Sequence, residues 1–177
     1  MTVMLEAVET PEARRNRITA KVLENTSRMT VQLARELGVP EVEVIRALPD
    51  NRAVELNVGQ WEPLMRAFEG LGNVHVIATN GSVTLECFGQ FGNFSFWGDY
   101  FNVQTKSLDM HIRFKELGSV FAVEKPGHMD GVSTLSFQFF DSQGSAAFKV
   151  FLTFGGKVAP PEKVEAFNAL RDEFRLA

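Results

Sequence analysis

Few residues in this chain are of the types that crosslink a protein or bind a structural metal. Its 177 residues include one cysteine, Cys87, and three histidines. One cysteine cannot form an intrachain disulfide, and no cysteines and histidines have the spacing of a zinc site. Residues 1–12 also lack the basic segment followed by an apolar segment that is typical of a signal peptide. These absences predict a cytoplasmic protein.

Other missing features argue against several function classes. No apolar run approaches the roughly 20 residues that span a bilayer, so membrane insertion is not expected. The net charge of −4 and the pI near 5.4 argue against non-specific binding to nucleic acid, which requires a basic surface. The chain has neither a glycine-rich phosphate loop nor a Gly-x-Ser-x-Gly motif, so nothing in it indicates a nucleotide-binding protein or a hydrolase of those types.

Residues 1–71 are predicted to be mainly helical. A helix over 14–24 is followed by two short helices, 30–37 and 41–48, on either side of a glycine-containing turn. This arrangement has the outline of a helix-turn-helix motif. Glu41 and Glu43 would begin the DNA-reading helix of such a motif, however, where they would repel phosphate groups. We therefore interpret the two helices as a structural hairpin.

Between residues 72 and 158 the apolar pattern has the period of two that is typical of strands. The predicted strands are 74–79, 82–88, 93–97, 100–104, 108–114, 119–125, 132–140 and 146–154. Short connections, including the hairpin signal Asn80-Gly81, favour antiparallel pairing in one meander. An amphipathic helix over 60–69 precedes the strands, and a C-terminal helix within 159–177 packs on the sheet. The chain is therefore predicted to be a single α+β domain over 1–177.

Phenylalanine is concentrated in the strand region. Thirteen of the 16 phenylalanines lie between Phe88 and Phe154, and in places they occupy both faces of one strand, as in Phe137-Gln138-Phe139-Phe140. A sheet that is covered on one side only alternates more cleanly between apolar and polar residues. We expect the second face to contact another subunit or a flat ligand. The alternative is that helices cover both faces.

The most informative polar residues lie in the predicted strands 100–104 and 108–114. Tyr100 is the only tyrosine, and His111 follows it by 11 residues. Strand alternation places His111 and Arg113 on one face and apolar residues on the other. Tyrosine and histidine are side chains that bind haem iron, so this face is a candidate haem site. An ordinary exposed strand face is the alternative.

These segments, in their order and spacing, resemble the haem utilisation cytosolic carrier family of the HutX and ChuX type. The segments that carry the resemblance are Gly72-Asn73-Val74, Val83-Thr84-Leu85-Glu86, Tyr100-Phe101-Asn102, His111-Ile112-Arg113, Phe139-Phe140, Gly144 and Phe148-Lys149-Val150-Phe151. A weaker likeness extends back through Leu48-Pro49. The resemblance implies a haem-binding carrier that forms a dimer, similar in shape to larger haem proteins built from two tandem copies of the same fold.

The resemblance also assigns roles to individual residues. His111 matches the family histidine of a His-Ile-Lys/Arg strand, and Tyr100 matches the tyrosine of a Tyr-Phe-Asn element. The second family histidine would align near Thr79, which cannot bind iron. His75 lies four residues earlier, so on a regular strand it shares that face at a distance of about 13 Å. The departure at Thr79 puts a pair of histidine ligands in doubt.

We therefore predict a cytoplasmic carrier that receives imported haem and transfers it to a haem-degrading enzyme. His111 or Tyr100 would bind the iron, with His111 favoured, and Arg113 or Lys106 would pair with the propionates. Phe101, from the same element as Tyr100, completes the predicted haem site. The protein is expected to be a homodimer.

Two other functions remain open at this point. The first is a haem-degrading enzyme, although the sequence has no flavin or NAD fingerprint. The second is an interaction or regulatory module that uses the N-terminal helical hairpin. If the protein binds haem, His128 and Met129 in a predicted turn are further candidate iron ligands, although a loop histidine is usually solvated.

Overall fold

The computed structural model describes residues 9–128, 132–153 and 157–177; Met129 and the last residue of the predicted strand 146–154 lie outside these ranges. The N-terminal part contains α1 (Pro11–Glu24), α2 (Thr30–Leu37) and α3 (Glu41–Arg46). The Thr10 hydroxyl accepts a hydrogen bond from the Ala13 amide at 3.1 Å, which caps α1. Gly38 ends α2 in the left-handed conformation, with φ of 66°, so the predicted helical hairpin is confirmed.

Two further helices complete the helical part. Helix α4 (Trp61–Ala67) continues into a 3₁₀ turn (Phe68–Leu71), and the C-terminal helix is α5 (Pro161–Phe174). Both were expected from their apolar stripes. No helix in the described ranges is long and apolar enough to cross a membrane.

A six-stranded antiparallel sheet, called here the large sheet, forms the centre of the molecule. Its strands are β1 (Ala53–Leu56), β2 (Asn73–Thr79), β3 (Thr84–Gln90), β7 (Leu117–Pro126), β8 (Ser133–Asp141) and β9 (Ala146–Phe151). Their order is β1-β7-β8-β9-β2-β3, so β1 and β3 are the edges. Strand β1 was not predicted, because the sequence before residue 72 was interpreted as helical.

The remaining strands form a second, three-stranded sheet, called here the small sheet. Its strands are β4 (Phe94–Trp97), β5 (Tyr100–Gln104) and β6 (Asp109–Arg113), in that order. The α+β class, the antiparallel pairing and all eight predicted strands are confirmed. The sequence did not reveal that the strands divide between two sheets.

One face of the large sheet is covered by α1 and by the helical hairpin of α2 and α3. The buried residues of this contact are Ile18, Val22, Leu33, Ala34, Val42, Val44, Ile45, Leu48, Phe121, Val123 and Phe140. Glu43 of α3 accepts two hydrogen bonds from Arg14 of α1, both at 2.7 Å. Helix α3 therefore packs between α1 and the sheet, as the structural interpretation of the hairpin predicts.

The opposite face is covered by α4, α5 and the small sheet. Phe68 lies at the centre of this core, with its ring 4.9 Å from that of Phe137 and 5.5 Å from that of Phe91. Helices therefore explain the apolar side chains on both faces of β7 and β8, which is the alternative that the sequence left open. The cover is incomplete at the edge strand β3, where Leu85 and Phe88 are exposed.

The core under α4 allows a direct test of the fold. Leu64 in α4 is fully buried, whereas Leu23 in α1 is 58% exposed. We expect Leu64→Ala to lower the free energy of unfolding by about 2–5 kcal/mol, because it leaves a cavity in a close-packed core. Leu23→Ala should change it by less than about 0.5 kcal/mol. Chemical denaturation of both variants measures the difference, and equal effects would contradict this description of the core.

Candidate functional site

The small sheet brings together three of the five residues predicted to bind haem. In the register of β5 and β6, Tyr100 lies opposite Arg113 and Asn102 lies opposite His111. Opposed residues of an antiparallel pair project from the same face, so these four side chains share one surface. We call this surface the strand face; Trp97, opposite Tyr100 on β4, belongs to it as well.

His111 is oriented by a short chain of hydrogen bonds. Its Nδ1 lies 2.7 Å from Asn102 Oδ1, and Asn102 Nδ2 donates to Ser95 Oγ at 3.1 Å. Because the amide oxygen accepts, the histidine proton is assigned to Nδ1, and Nε2 keeps its lone pair. Nε2 lies 3.5 Å from Asp109 Oδ1 on the exposed side. An imidazole held at one nitrogen by a polar partner is the usual arrangement of a metal-binding histidine.

The strand face is open and flat. The rings of Tyr100 and His111 meet edge to face with centroids 6.4 Å apart, and the side chain of His111 is 54% exposed. Arg113 and Trp97 are exposed as well. This face could contact one side of a planar ligand, but within a single chain it has no opposite wall.

Phe101 and Lys106 lie elsewhere. Phe101 is fully buried on the inner face of the small sheet, where its ring is 5.0 Å from that of Trp61 and 5.2 Å from that of Phe94. Lys106 is exposed in the turn between β5 and β6, at the other end of these strands from Tyr100 and Arg113. Strand alternation directs Phe101 into the core, and the length of the strands separates Lys106 from the other predicted residues.

A second candidate site is a cavity of about 550 Å³ between α2 and the large sheet. Its apolar walls come from the start of α2 and from β2 and β9, and the cavity extends to the edge strand β3. The residues that line the cavity include Met29, Thr30, Val31, His75, Ile77, Thr79, Thr84, Glu86, Lys125, Gln138, Lys149 and Phe151. The volume is typical of pockets that bind small molecules and cofactors. The sequence analysis did not predict this cavity.

Lys149 of β9 forms a buried ion pair at the cavity wall. Its ammonium contacts Glu41 Oε1 of α3, and the Thr30 hydroxyl donates to the same oxygen at 2.5 Å. The side chains of Lys149 and Glu41 are 11% and 5% exposed. This contact joins the helical hairpin to the sheet beside the cavity, and it compensates the charge of Lys149.

Lys125 of β7 has no carboxylate partner in the described part of the chain. It donates to the carbonyl oxygens of Pro126 and Ser27 at 2.8 and 3.3 Å, and within the described part of the chain no carboxylate forms an ion pair with it. Burial lowers the pKa of Lys125 to about 8, and the charges of Lys149 and Arg52 act in the same direction. The cavity therefore contains a half-buried cationic group that an anion would stabilise.

A polar atom without a partner lies close to these lysines. Gln138 donates from Nε2 to Ser136 Oγ at 3.0 Å, but its Oε1 is buried and has no hydrogen-bond partner among the described residues. Such an atom is costly to bury unless a ligand or water satisfies it. With Lys125, it makes the cavity polar and cationic on one side and apolar on the other.

His75 and Thr79 line the same cavity, as their spacing on one strand predicts. His75 is 5% exposed, and its Nε2 lies 3.1 Å from Glu86 Oε2. Burial lowers the pKa of His75, while the Glu86 carboxylate raises it by a smaller amount. In the ranges that the structure describes, no group of three or more histidine, cysteine or acidic side chains could hold a metal ion by itself.

One signal in the sequence could have indicated the cavity. Lys149 stands between Phe148 and Val150 in an apolar strand, and lysine is rarely buried unless it is paired. This segment carried only the resemblance to a family, and no role was predicted for Lys149 or Lys125.

Comparison with known proteins agrees with the resemblance noted in the sequence. The family model described as Haem utilisation ChuX/HutX matches residues 54–170. The intracellular haem transport protein HutX of Vibrio cholerae is 22% identical over 170 residues, which cover 94% of this chain and 87% of that protein.

Solved structures share the fold. A protein from Agrobacterium tumefaciens superposes with a TM-score of 0.83 at 23% identity and covers 99% of both chains. The haem-degrading enzyme ChuS of Escherichia coli O157:H7 superposes with a TM-score of 0.76 at 23% identity; the match covers 92% of this chain but 47% of ChuS. These likenesses concern the fold alone. The family model matches well over half of the length of this chain, so the chain belongs to the Haem utilisation ChuX/HutX family.

Proposed function

We propose that this chain binds haem in the cavity and carries it within the cytoplasm to a haem-degrading enzyme. Membership of the ChuX/HutX family supports haem as the ligand, and HutX of Vibrio cholerae is an intracellular haem transport protein. The observation that carries the proposal is a largely apolar cavity of about 550 Å³ that contains Lys125, for which the described ranges offer no carboxylate partner. A flat apolar ring with acidic substituents matches both properties.

The cavity provides both kinds of contact that haem requires. Met29, Val31, Ile77 and Phe151 offer apolar surface to the ring, and burial of that surface contributes about 25 cal/mol per Å². A propionate can accept a hydrogen bond from Lys125, which replaces a neutral carbonyl partner by a charged one. The negative charge of the propionate therefore balances the positive charge of Lys125.

The iron ligand is proposed to come from the strand face. His111 presents Nε2, and Tyr100 lies beside it. In one chain the strand face belongs to the small sheet and the cavity to the large sheet, so the two do not form one site. A second copy of the chain would bring them together.

The exposed apolar side chains support a homodimer. In the described part of the chain nine large apolar side chains are exposed, and five of them lie on or next to β3 and β4: Val83, Leu85, Phe88, Phe96 and Trp97. Strand β3 is also an edge of the large sheet, seven residues long, which favours pairing with another strand. We propose that the small sheet of each chain lies along β3 of its partner. The cavity reaches β3, so the partner's strand face would form its missing wall.

A carrier also has to release its ligand. One iron ligand, supplied across a subunit contact, holds haem less firmly than two ligands in a closed pocket. The absence of a family histidine at Thr79 is consistent with this arrangement. Haem degradation is the second candidate function, because ChuS has the same fold.

Reduction of the haem complex tests the choice between carrier and enzyme. We expect the purified protein to bind one haemin per chain and to keep its Soret band when ascorbate or a reductase is added in air. A catalase control excludes loss of haem to free peroxide. Conversion to a biliverdin-like spectrum would instead identify an enzyme, and the absence of haemin binding would contradict both functions.

The iron ligand is tested by three single substitutions. We expect His111→Ala to shift the Soret band and weaken haemin binding, because it removes the proposed axial bond. Tyr100→Phe should resemble the wild type if His111 is the ligand, and His75→Gln serves as the control inside the cavity. If a phenolate from Tyr100 binds the iron, reduction should speed the transfer of haem to apomyoglobin, since an anionic ligand favours ferric iron. An unchanged spectrum and affinity in His111→Ala would remove His111 from the site.

The subunit contact is tested by sedimentation at micromolar concentration. We expect the wild type to have twice the chain mass of 19.8 kDa. Leu85→Glu should produce a monomer, because it places a charge in the proposed contact. Leu23→Glu alters a leucine of similar exposure on α1 and should leave the dimer intact. A wild-type protein that sediments as a monomer would contradict the proposal.

A further inference from the structure

The cavity is lined by the buried Lys149 and the half-buried Lys125, which have different partners. Lys149 is compensated by Glu41, which also accepts from the Thr30 hydroxyl, whereas Lys125 has only carbonyl partners in the described structure. The charges of the two lysines are close enough to act on each other, since Lys149 lowers the pKa of Lys125. The group of three side chains therefore has one positive charge in excess.

This charge balance matters because haem has two propionates. They leave the ring from adjacent positions, so both approach the same side of a pocket. One propionate can pair with the uncompensated Lys125. The other can reach Lys149, which it would share with the Glu41 carboxylate, whose negative charge repels it. The exposed Lys157 also lines the cavity.

We propose that Glu41 competes internally with the second carboxylate of the ligand for Lys149. This inference rests on the proposed haem site in the cavity. In the free protein Glu41 supplies the anion that a buried lysine requires, so Lys149 is not left unpaired. In the haem-bound protein the Glu41 carboxylate lowers the affinity for a dianionic ligand. It does not change the affinity for a monoanionic or neutral ligand.

The position of Glu41 gives this competition a structural consequence. Glu41 is the first residue of α3, and Thr30 is the first residue of α2, so both helices of the hairpin meet Lys149 through these side chains. A ligand carboxylate that draws Lys149 away from Glu41 would loosen the only buried ion pair between the described part of the hairpin and β9. Binding of a dianion and anchoring of the hairpin therefore oppose each other, which favours release.

The test compares haemin with its dimethyl ester, which lacks both negative charges. Glu41→Gln keeps the shape of the side chain and removes its charge. We expect this variant to bind haemin about tenfold more tightly than the wild type does, with unchanged affinity for the ester. The double variant Glu41→Gln/Lys149→Met lacks both charges of the pair and should not show the gain. Absorption titrations at pH 7 give all of these affinities.

The opposite substitution provides a second, independent arm. Lys149→Met leaves Glu41 without its cation, so haemin should bind about tenfold more weakly while the ester is unaffected. This arm decides the question if Glu41→Gln does not fold, as judged by circular dichroism. Equal changes for haemin and the ester, or no change in either, would overturn the role of Glu41 while haemin binding by the wild type still supports the proposed function. A wild type that binds neither compound would overturn both.

Discussion

The structure depends on the need to cover both faces of strands β7, β8 and β9. Phe121 and Phe140 project to one side of these strands, and Phe137 and Phe139 to the other, and all four are buried. Helix α1 and the helical hairpin cover the first side, while α4, α5 and the small sheet cover the second. Both layers leave Leu85 and Phe88 of the edge strand β3 exposed. The cavity and these exposed apolar side chains therefore lie at the same edge of the large sheet.

Desolvation of lysine connects this architecture to a function. Two lysines line the cavity from β7 and β9, where Lys149 is buried and Lys125 is partly removed from water. Glu41 compensates the charge of Lys149. The surroundings lower the pKa of Lys125, and an anion would stabilise its charged form. A ligand that brings apolar surface and a carboxylate stabilises both parts of the cavity at once. In this account the lysines select for acidic porphyrins, and the axial ligand sets their orientation.

Local patterns in the sequence were sufficient for most elements and for the strand face. Alternation within β6 predicted which side His111 and Arg113 occupy, because a strand's period depends on its own residues. Strand β1 was missed because its four residues pair with β7, almost seventy positions away, after a turn in which Asp50 and Asn51 have positive φ. The cavity was missed for the same reason: its lining comes from α2, β2, β7 and β9, and only the fold brings them together. Lys106 was placed in the site by its charge alone, without regard to the end of the sheet at which it lies.

The central claim is that an anionic porphyrin lies in the cavity beside Lys125. A haemin titration of Lys125→Met tests it most directly, with Lys115→Met as the control. Lys115 is exposed in the turn after β6 and paired with Asp99 at 2.6 Å. The account predicts that Lys125→Met binds haemin roughly tenfold or more weakly than the wild type, for the loss of one charge-assisted hydrogen bond. Lys115→Met should bind it as the wild type does. Unchanged affinity in Lys125→Met would contradict the account and would place the ligand outside the cavity.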